Sequence, residues 1–408
     1  MPEAIVALGQ AKRVVGRLRF ESDGRRQHSQ FEYDRNWLEA RDRFQLAPGL
    51  PLKTGGFFAA GREDRRNALH ACFQDAAPDS WGRALMTRAL GGGLTEFDYL
   101  TLCDDRTRLG ALRFLDDDMT PLSRLSAPVP RLIELERLRS LAYQYESDPD
   151  RAGDAVRELA GVAGASGGAR PKANVEDNGQ LWIAKFTSRE DRRAVERAEV
   201  ATLKLASRCG LRVPEARLEL ARSDSPVALI RRFDRRGDIR IPYMSARAAL
   251  DAHDTEGRYY TEIADIIRQI SSKPLDDLHE LWRRIVFTIL VSNTDDHLKN
   301  HGFIYAGRRR WRLSPAFDIN PAPMRQRVLQ TGILEGEPFH ASLTLALEAA
   351  GLFDFEQEDA KRTASKMAVL IDMEWRKALR AEGASAGETE AFASAFQHEA
   401  MEQALTLS

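Results

Sequence analysis

Three cysteines in 408 residues, at 72, 103 and 209, are too few and too scattered to staple a fold or to build a thiolate metal site. They read as reduced core thiols of a cytoplasmic protein. Long apolar stretches are also missing. The longest run is about seven residues, against the ~20 that span a bilayer, so no membrane association is expected. The opening residues, Met-Pro-Glu-Ala-Ile-Val-Ala-Leu, lack a basic n-region and a long apolar h-region, which argues against a secretory signal. Neither sign of charge dominates: 60 Lys and Arg face 61 Asp and Glu, a net charge of −1. There is thus no global pull toward nucleic acid, and any such contact must be local. No internal repeat or low-complexity tract is visible. What remains is 43% hydrophobic and 30% charged residues, a globular composition with length for two or three domains.

One stretch carries chemistry: Val291-Ser-Asn-Thr-Asp-Asp-His-Leu-Lys-Asn-His-Gly302, followed by Pro315-Ala-Phe-Asp318. Asp295 and Asn300 are five residues apart, the spacing of a protein-kinase catalytic loop, where the Asp is the base and the Asn holds Mg²⁺. Asp318, behind Phe317 at a strand end, stands where a second metal-binding Asp belongs. Phosphoryl transfer needs positioning and charge neutralisation more than covalent chemistry. Oxygen-only ligands suit Mg²⁺. Taken alone, the stretch could equally be a polar helix end with solvated Asp and Asn.

Upstream, residues 1–120 read as a small α+β domain. Strands fall at 4–8, 14–20 and 30–33 with a turn at Ser22-Asp-Gly24, helices at 67–72 and 80–90, and a strand at 109–115. Asp79 or Ser80 should cap the second helix. Residues 121–163 supply linker helices at 132–145 and 152–162. The acid- and proline-rich stretch 116–130 before them is expected not to pack. Residues 164–234 look like a kinase small lobe. Gly164-Ala-Ser-Gly-Gly-Ala-Arg-Pro-Lys172 is a glycine-rich turn that could admit phosphates or be only a turn. A strand at 181–186 ends near Lys185. A helix at 191–208 carries Glu196 and Glu199, with Gly210 just past its end. Strand lysine then helix glutamate is the order of the kinase ion pair, although each could be a surface charge. Strands at 213–220 and 227–233 follow. Residues 235–408 are mostly helical: 261–270, 275–290, then a loop at 320–337, then 343–350, 357–379 and 388–404. The expected fold class is α+β, a bilobal protein-kinase-like core with an N-terminal α/β subdomain and a mostly helical C-lobe.

With these residues assembled, the chain resembles the HipA family of bacterial serine/threonine kinase toxins over nearly its whole length. Asp79-Ser-Trp-Gly-Arg83, Gly110-Ala-Leu-Arg-Phe114, Gly168-Ala-Arg-Pro-Lys172, Ile183-Ala-Lys185, Arg232-Phe-Asp-Arg235 and Thr294-Asp-Asp-His-Leu-Lys-Asn300 carry the likeness. The resemblance implies ATP and Mg²⁺ as cofactors and Asp295 as catalytic base, with Asn300 and Asp318 on the metal. It implies a nucleotide loop of Gly167, Gly168, Ala169, Arg170, Pro171 and Lys172. It places Lys185 on the phosphates, oriented by Glu199, and the backbone of Arg231, Arg232 and Phe233 around the adenine. His297, Leu298, Lys299 and Phe317 would line the site. As partners it implies a usually dimeric helix-turn-helix HipB-like antitoxin, operator DNA through that complex, and a translation-related protein substrate such as an aminoacyl-tRNA synthetase. The alternative is a catalytically weak antitoxin-binding co-repressor. In the best-known members an autophosphorylated serine lies at the position of Ala165; here the serine is Ser166, one residue later. Phosphate on Ser166 would add charge to the loop.

Two further features stand apart. Arg308-Arg-Arg-Trp-Arg312 could bind a polyanion or be a solvated turn. His253, Asp296, His297 and His301 fit no helical zinc spacing. A metal-dependent phosphohydrolase built on them would have no use for the glycine-rich segment or Lys185.

Overall fold

The computed structural model describes residues 2–23, 26–61, 67–125, 128–163, 168–252 and 257–407. The α+β chain forms two compact units. The first comprises residues 1–189, 231–253 and 304–309, the second 190–230, 254–303 and 310–408.

The first unit is built on an antiparallel sheet of β1 (Glu3–Leu8), β2 (Arg13–Ser22), β3 (Gln27–Tyr33), β4 (Gly56–Ala60) and β5 (Leu112–Leu115), in the order β4-β3-β2-β1-β5. Alternating apolar residues put Val6, Leu18, Phe20, Phe31 and Phe114 in the core. Gly16 is needed where β2 meets β3, since a Cβ there would lie 2.2 Å from the Glu32 carbonyl oxygen. Helix Ser80–Leu90 forms where expected, and the Asp79 side chain caps it by accepting from Gly82 N at 2.8 Å.

Three readings need correction in this unit. The helix expected at 67–72 is confined to Ala71–Gln74, because the Asn67 side chain accepts from Leu69 N in a turn that pre-empts it. Strand β4 and helix Glu96–Leu102 form in stretches left unassigned. The stretch 116–130 packs: Asp116 organises a turn by accepting from Asp118 N and Thr120 N, the amides of Arg124 and Leu125 donate to Leu102 O, and Leu125 and Val129 are buried. Helices Leu135–Ser147 and Gly153–Ala163 lead to a hairpin of β6 (Lys172–Asp177) and β7 (Gln180–Phe186).

In the second unit, β8 (Ala216–Glu219) pairs with β9 (Val227–Arg231). Helix Val195–Arg208 starts four residues later than the sequence suggested. Its Arg197 is buried and donates to the carbonyls of Ala221, Ser223 and Glu382. Helix Pro274–Leu290 opens with Pro at N1 and acidic Asp276 and Asp277 in its first turn. It is buried along most of its length, with Trp282 Nε1 donating to Ala346 O. Helix Gln357–Ala381 packs Trp375 flat against Phe396, ring centroids 4.8 Å apart. The single helix expected at 388–404 is three: Ala386–Glu390, Ala393–Phe396 and Glu399–Leu405. Gln397 and His398 are extended, and His398 caps the last helix by accepting from Met401 N. Among the described residues, no helix is long and apolar enough to cross a membrane.

Candidate active site

The catalytic-loop motif begins where helix Pro274–Leu290 ends. Ser292 adopts a left-handed backbone (φ 54°), which stops the helix, and its hydroxyl donates to Ala395 O. The carbonyl of Asp295 then accepts from His297 N at 2.9 Å and from the Asn300 side-chain amide at 3.0 Å. That second bond orients Asn300. Its nitrogen is spent on the loop backbone, and Oδ1 is the atom left to meet a cation.

Asp318 follows the segment Ser314-Pro-Ala-Phe317 and has φ 58°, a strained backbone for a non-glycine residue. The segment is held at both ends of its run: Ser314 N donates to Gly302 O, Ala316 N to Arg212 O, and Arg284 to Ser314 O at 2.6 Å. Asn320 Nδ2 donates to Asp318 Oδ1 at 3.2 Å.

The two adjacent aspartates behave oppositely. Asp296 is buried and accepts from Tyr260 OH at 2.5 Å and from His301 Nε2 at 3.1 Å. Burial works to raise its pKa, but His301 and the hydrogen bonds outweigh it and hold the carboxylate below its usual range. Asp295 is exposed as a residue, but its carboxyl is partly sheltered by the protein and its pKa is raised. Burial of the group is the main cause; the charges of Asp318 and Asp296 add to it, and His297 opposes.

Among the described residues no group of three or more His, Cys, Asp and Glu side chains is arranged to hold a metal. Asn300 and Asp318 would give a metal only two protein oxygens. That fits Mg²⁺, which takes one or two carboxylates and completes its shell with water and phosphate oxygens. Asp296 and His301 are committed to each other and to Tyr260. His253, from the same group of candidate ligands, lies outside the described residues.

Leu298 is buried and Lys299 exposed within a short 3-10 turn, Leu298–Asn300; His297 and Phe317 are half-buried. Glu199 also belongs to the second unit, buried like Glu196 on helix Val195–Arg208.

The first unit holds the remaining candidates. Gly167 and Ser166 lie outside the described residues. Gly168 has φ 97°. Ala169 is exposed, Arg170 half-buried and Pro171 buried. Lys172 is buried, and its ammonium pairs with Asp79 at 2.8 Å, while Trp81 Nε1 donates to Lys172 O. Asp79-Ser-Trp thus clamps the foot of the glycine-rich segment. Lys185 sits opposite Lys172 in the β6–β7 register. Arg232 is buried, its N–H donating to Leu181 O and its guanidinium to Asp234 and to the carbonyls of Thr107 and Arg108. Arg231 is exposed and Phe233 half-buried.

Sequence reasoning missed the brace beneath the loop. Asp277 accepts from Arg312, Arg212 and Ser271, and Glu280 from Arg284 and Arg212 N. The signal was present: Asp277, Glu280 and Arg284 share one face of helix Pro274–Leu290. Charges are buried in such a place only when paired.

A family model described as the HipA-like C-terminal domain matches residues 164–375, and one described as the HipA N-terminal domain matches residues 6–115. The chain belongs to the HipA family. The solved HipA of Shewanella oneidensis MR-1, captured as a complex of a toxin-antitoxin system with HipB and operator DNA, superposes with a TM-score of 0.70 over 98% of this chain and 96% of that one. At 17% identity this likeness establishes the HipA fold. A Sinorhizobium fredii protein named "Putative kinase Y4dM" is 32% identical over 160 residues, 35% of this chain and 38% of that protein. A Haemophilus influenzae protein named "Putative kinase" is 27% identical over 164 residues, 36% of this chain and 48% of that protein. The chain therefore matches less than half the length of these curated relatives.

Proposed function

We propose that this HipA-family chain is an ATP- and Mg²⁺-dependent serine/threonine protein kinase. The observation that carries the reading is the arrangement of Asp295, Asn300 and Asp318. The amide of Asn300 is fixed by the Asp295 backbone, and burial of the Asp295 carboxyl, with the Asp318 and Asp296 charges beside it, raises its pKa. A raised pKa suits a proton acceptor. Asp295 takes the proton of the acceptor hydroxyl as that oxygen bonds to the γ-phosphorus and the bond to the ADP oxygen breaks. Asn300 and Asp318 would hold Mg²⁺, which would neutralise phosphate charge. Lys185, Glu199 and the Gly168–Lys172 segment keep the nucleotide roles that the family resemblance implies. A HipB-like antitoxin, operator DNA and a growth-arresting action belong to the same reading, supported by the complex in which the Shewanella relative was captured.

Incubation with labelled ATP and Mg²⁺ tests the core of it. Wild type is expected to transfer phosphate to protein, and Asp295→Ala and Asp318→Ala are not. Equal transfer by wild type and Asp295→Ala would reject the assignment. Co-purification with the antitoxin that survives Asp318→Ala, in a wild type without transferase activity, would instead favour the co-repressor role.

A further inference from the structure

The loop that follows Asp318 is fastened to Ser292, Asn293, Thr294 and Asp296 at the start of the catalytic loop. Asn320 N donates to Asn293 Oδ1 at 3.2 Å, Ala322 N to Ser292 O at 3.0 Å, Gln330 N to Thr294 O at 3.2 Å, and Thr331 Oγ1 to Asp296 O at 2.7 Å. These bonds bind the two ends of residues 320–331, and the middle, Met324-Arg-Gln-Arg-Val328, returns to the catalytic loop at Thr294. Met324 Sδ lies 4.0 Å from Thr294 Oγ1, one residue from Asp295.

The middle is built for contact. Met324 is 55% exposed and Val328 48%, while Arg325 and Gln326 are also exposed. The backbone adds a second element. Leu329 N donates to Phe339 O and Ala341 N to Arg327 O, flanking a Val328–His340 antiparallel bridge. Residues flanking such a bridge make its bonds, so Val328 turns its own N–H and C=O outward. That is a strand edge able to accept an extended segment. Charge supplies the third element: between Ile319 and Leu334 the loop carries Arg325 and Arg327 and no acidic residue. Arg327 is engaged with Ile289 O at 3.2 Å.

We infer that residues 324–328 form the docking edge for the acceptor segment of a protein substrate. The occupant is an extended serine- or threonine-bearing strand, with an acidic side chain facing Arg325 and an apolar one against Met324 and Val328. This inference rests on the kinase reading above, and its specificity residues are Met324 and Arg325.

The test is a degenerate library of peptides, each with a central Ser or Thr and one fixed flanking residue, incubated with labelled ATP, Mg²⁺ and the full chain. Wild type is expected to favour Asp or Glu at one flanking position by about tenfold over Lys or Arg, the scale of a small number of solvent-exposed charge contacts. Arg325→Glu should reverse that preference, and Met324→Ser should raise KM for apolar-flanked peptides while leaving kcat. Because both side chains are on the surface, neither change threatens the fold. Identical acidic selection by wild type and Arg325→Glu overturns the docking edge while leaving the kinase reading in place. No transfer to any peptide pool and no self-labelling by wild type overturns the kinase reading, and the docking edge falls with it.

Discussion

Asp234 and Asp295 are both aspartates in motifs that carry the family likeness, one in each unit, and the fold treats them in opposite ways. Asp234 is fully buried and compensated: Arg232 and Arg235 both pair with it, at 2.6 and 2.7 Å, and Gly110 N donates to it. Burial alone would raise its pKa, but the two guanidinium groups win and hold the carboxylate far below its usual range. Partial burial of the Asp295 carboxyl, with the like charges of Asp318 and Asp296 beside it, moves its pKa the other way. A charge that the fold fully answers is architectural. A charge left facing others of its own sign is kept for something the protein has yet to meet. Arg232-Phe-Asp-Arg235 therefore reads as a buried fastening to the Thr107–Gly110 turn, and Thr294-Asp-Asp-His-Leu-Lys-Asn300 as a working site.

Removing each carboxylate is the most direct way to break this contrast. Asp295→Ala should lower phosphotransfer by about 10²–10⁴, the range of a lost general base, with an unchanged urea midpoint. Asp234→Ala should do the reverse. It leaves Arg232 and Arg235 buried without their carboxylate, a loss of about 3–5 kcal/mol read from urea unfolding. The contrast fails if Asp295→Ala unfolds the chain or if Asp234→Ala leaves the midpoint where it was.

A third group sharpens it by answering burial differently. His398 stays neutral: burial, with Arg327 nearby, lowers its pKa to about 4. Its Nε2 faces Leu290 O at 3.2 Å, at the end of the helix that feeds the catalytic loop, while Nδ1 caps the last helix. The folded value lies below the ordinary 6.5. The stabilising contribution is thus present above about pH 6.5 and lost as pH falls through the folded value near 4. His398→Gln should remove that slope, on the order of 1–3 kcal/mol between pH 7 and pH 4, measured by urea unfolding at both pH values against wild type.

How much of this the sequence disclosed depended on distance along the chain. Asp295, Asn300 and Asp318 stand within a short span, and their spacing alone suggested their roles. Helix Ser80–Leu90 was legible because its cap, Asp79, is its neighbour. What the same Asp79 does to Lys172 was not, since the partners are 93 residues apart and nothing in either segment names the other. The brace of Asp277, Glu280 and Arg284 could be seen as charges on one face of a helix, but not its partners Arg212 and Ser314. The helix expected at 67–72 failed for a local reason, the Asn67 turn. The one expected at 388–404 failed for a tertiary one, His398 reaching Leu290 O. The loop at 320–337 read as irregular, which it largely is. Two of its bonds to the catalytic loop, from Ala322 N and Gln330 N, run through backbone groups that every residue type carries, so no residue pattern could have signalled those.

The smallest expected effect bears on Asp295 itself. Its folded pKa is raised, so the fold prefers the protonated form. Any stability that the group contributes is fully present below the unfolded value near 4 and lost as pH rises through the folded one. Asp295→Asn removes the charge while keeping the shape. At pH 7 it should therefore be slightly more stable than wild type, by a few tenths of a kcal/mol, because solvent screens an exposed group. The gap should close as pH falls below about 4. Paired urea titrations at pH 7 and pH 3.5 measure it, with phosphotransfer lost at pH 7 in the same variant. A gap that widens on acidification would mean that Asp295 is stabilised by partners as Asp234 is, and the distinction between the architectural and the working aspartate would disappear.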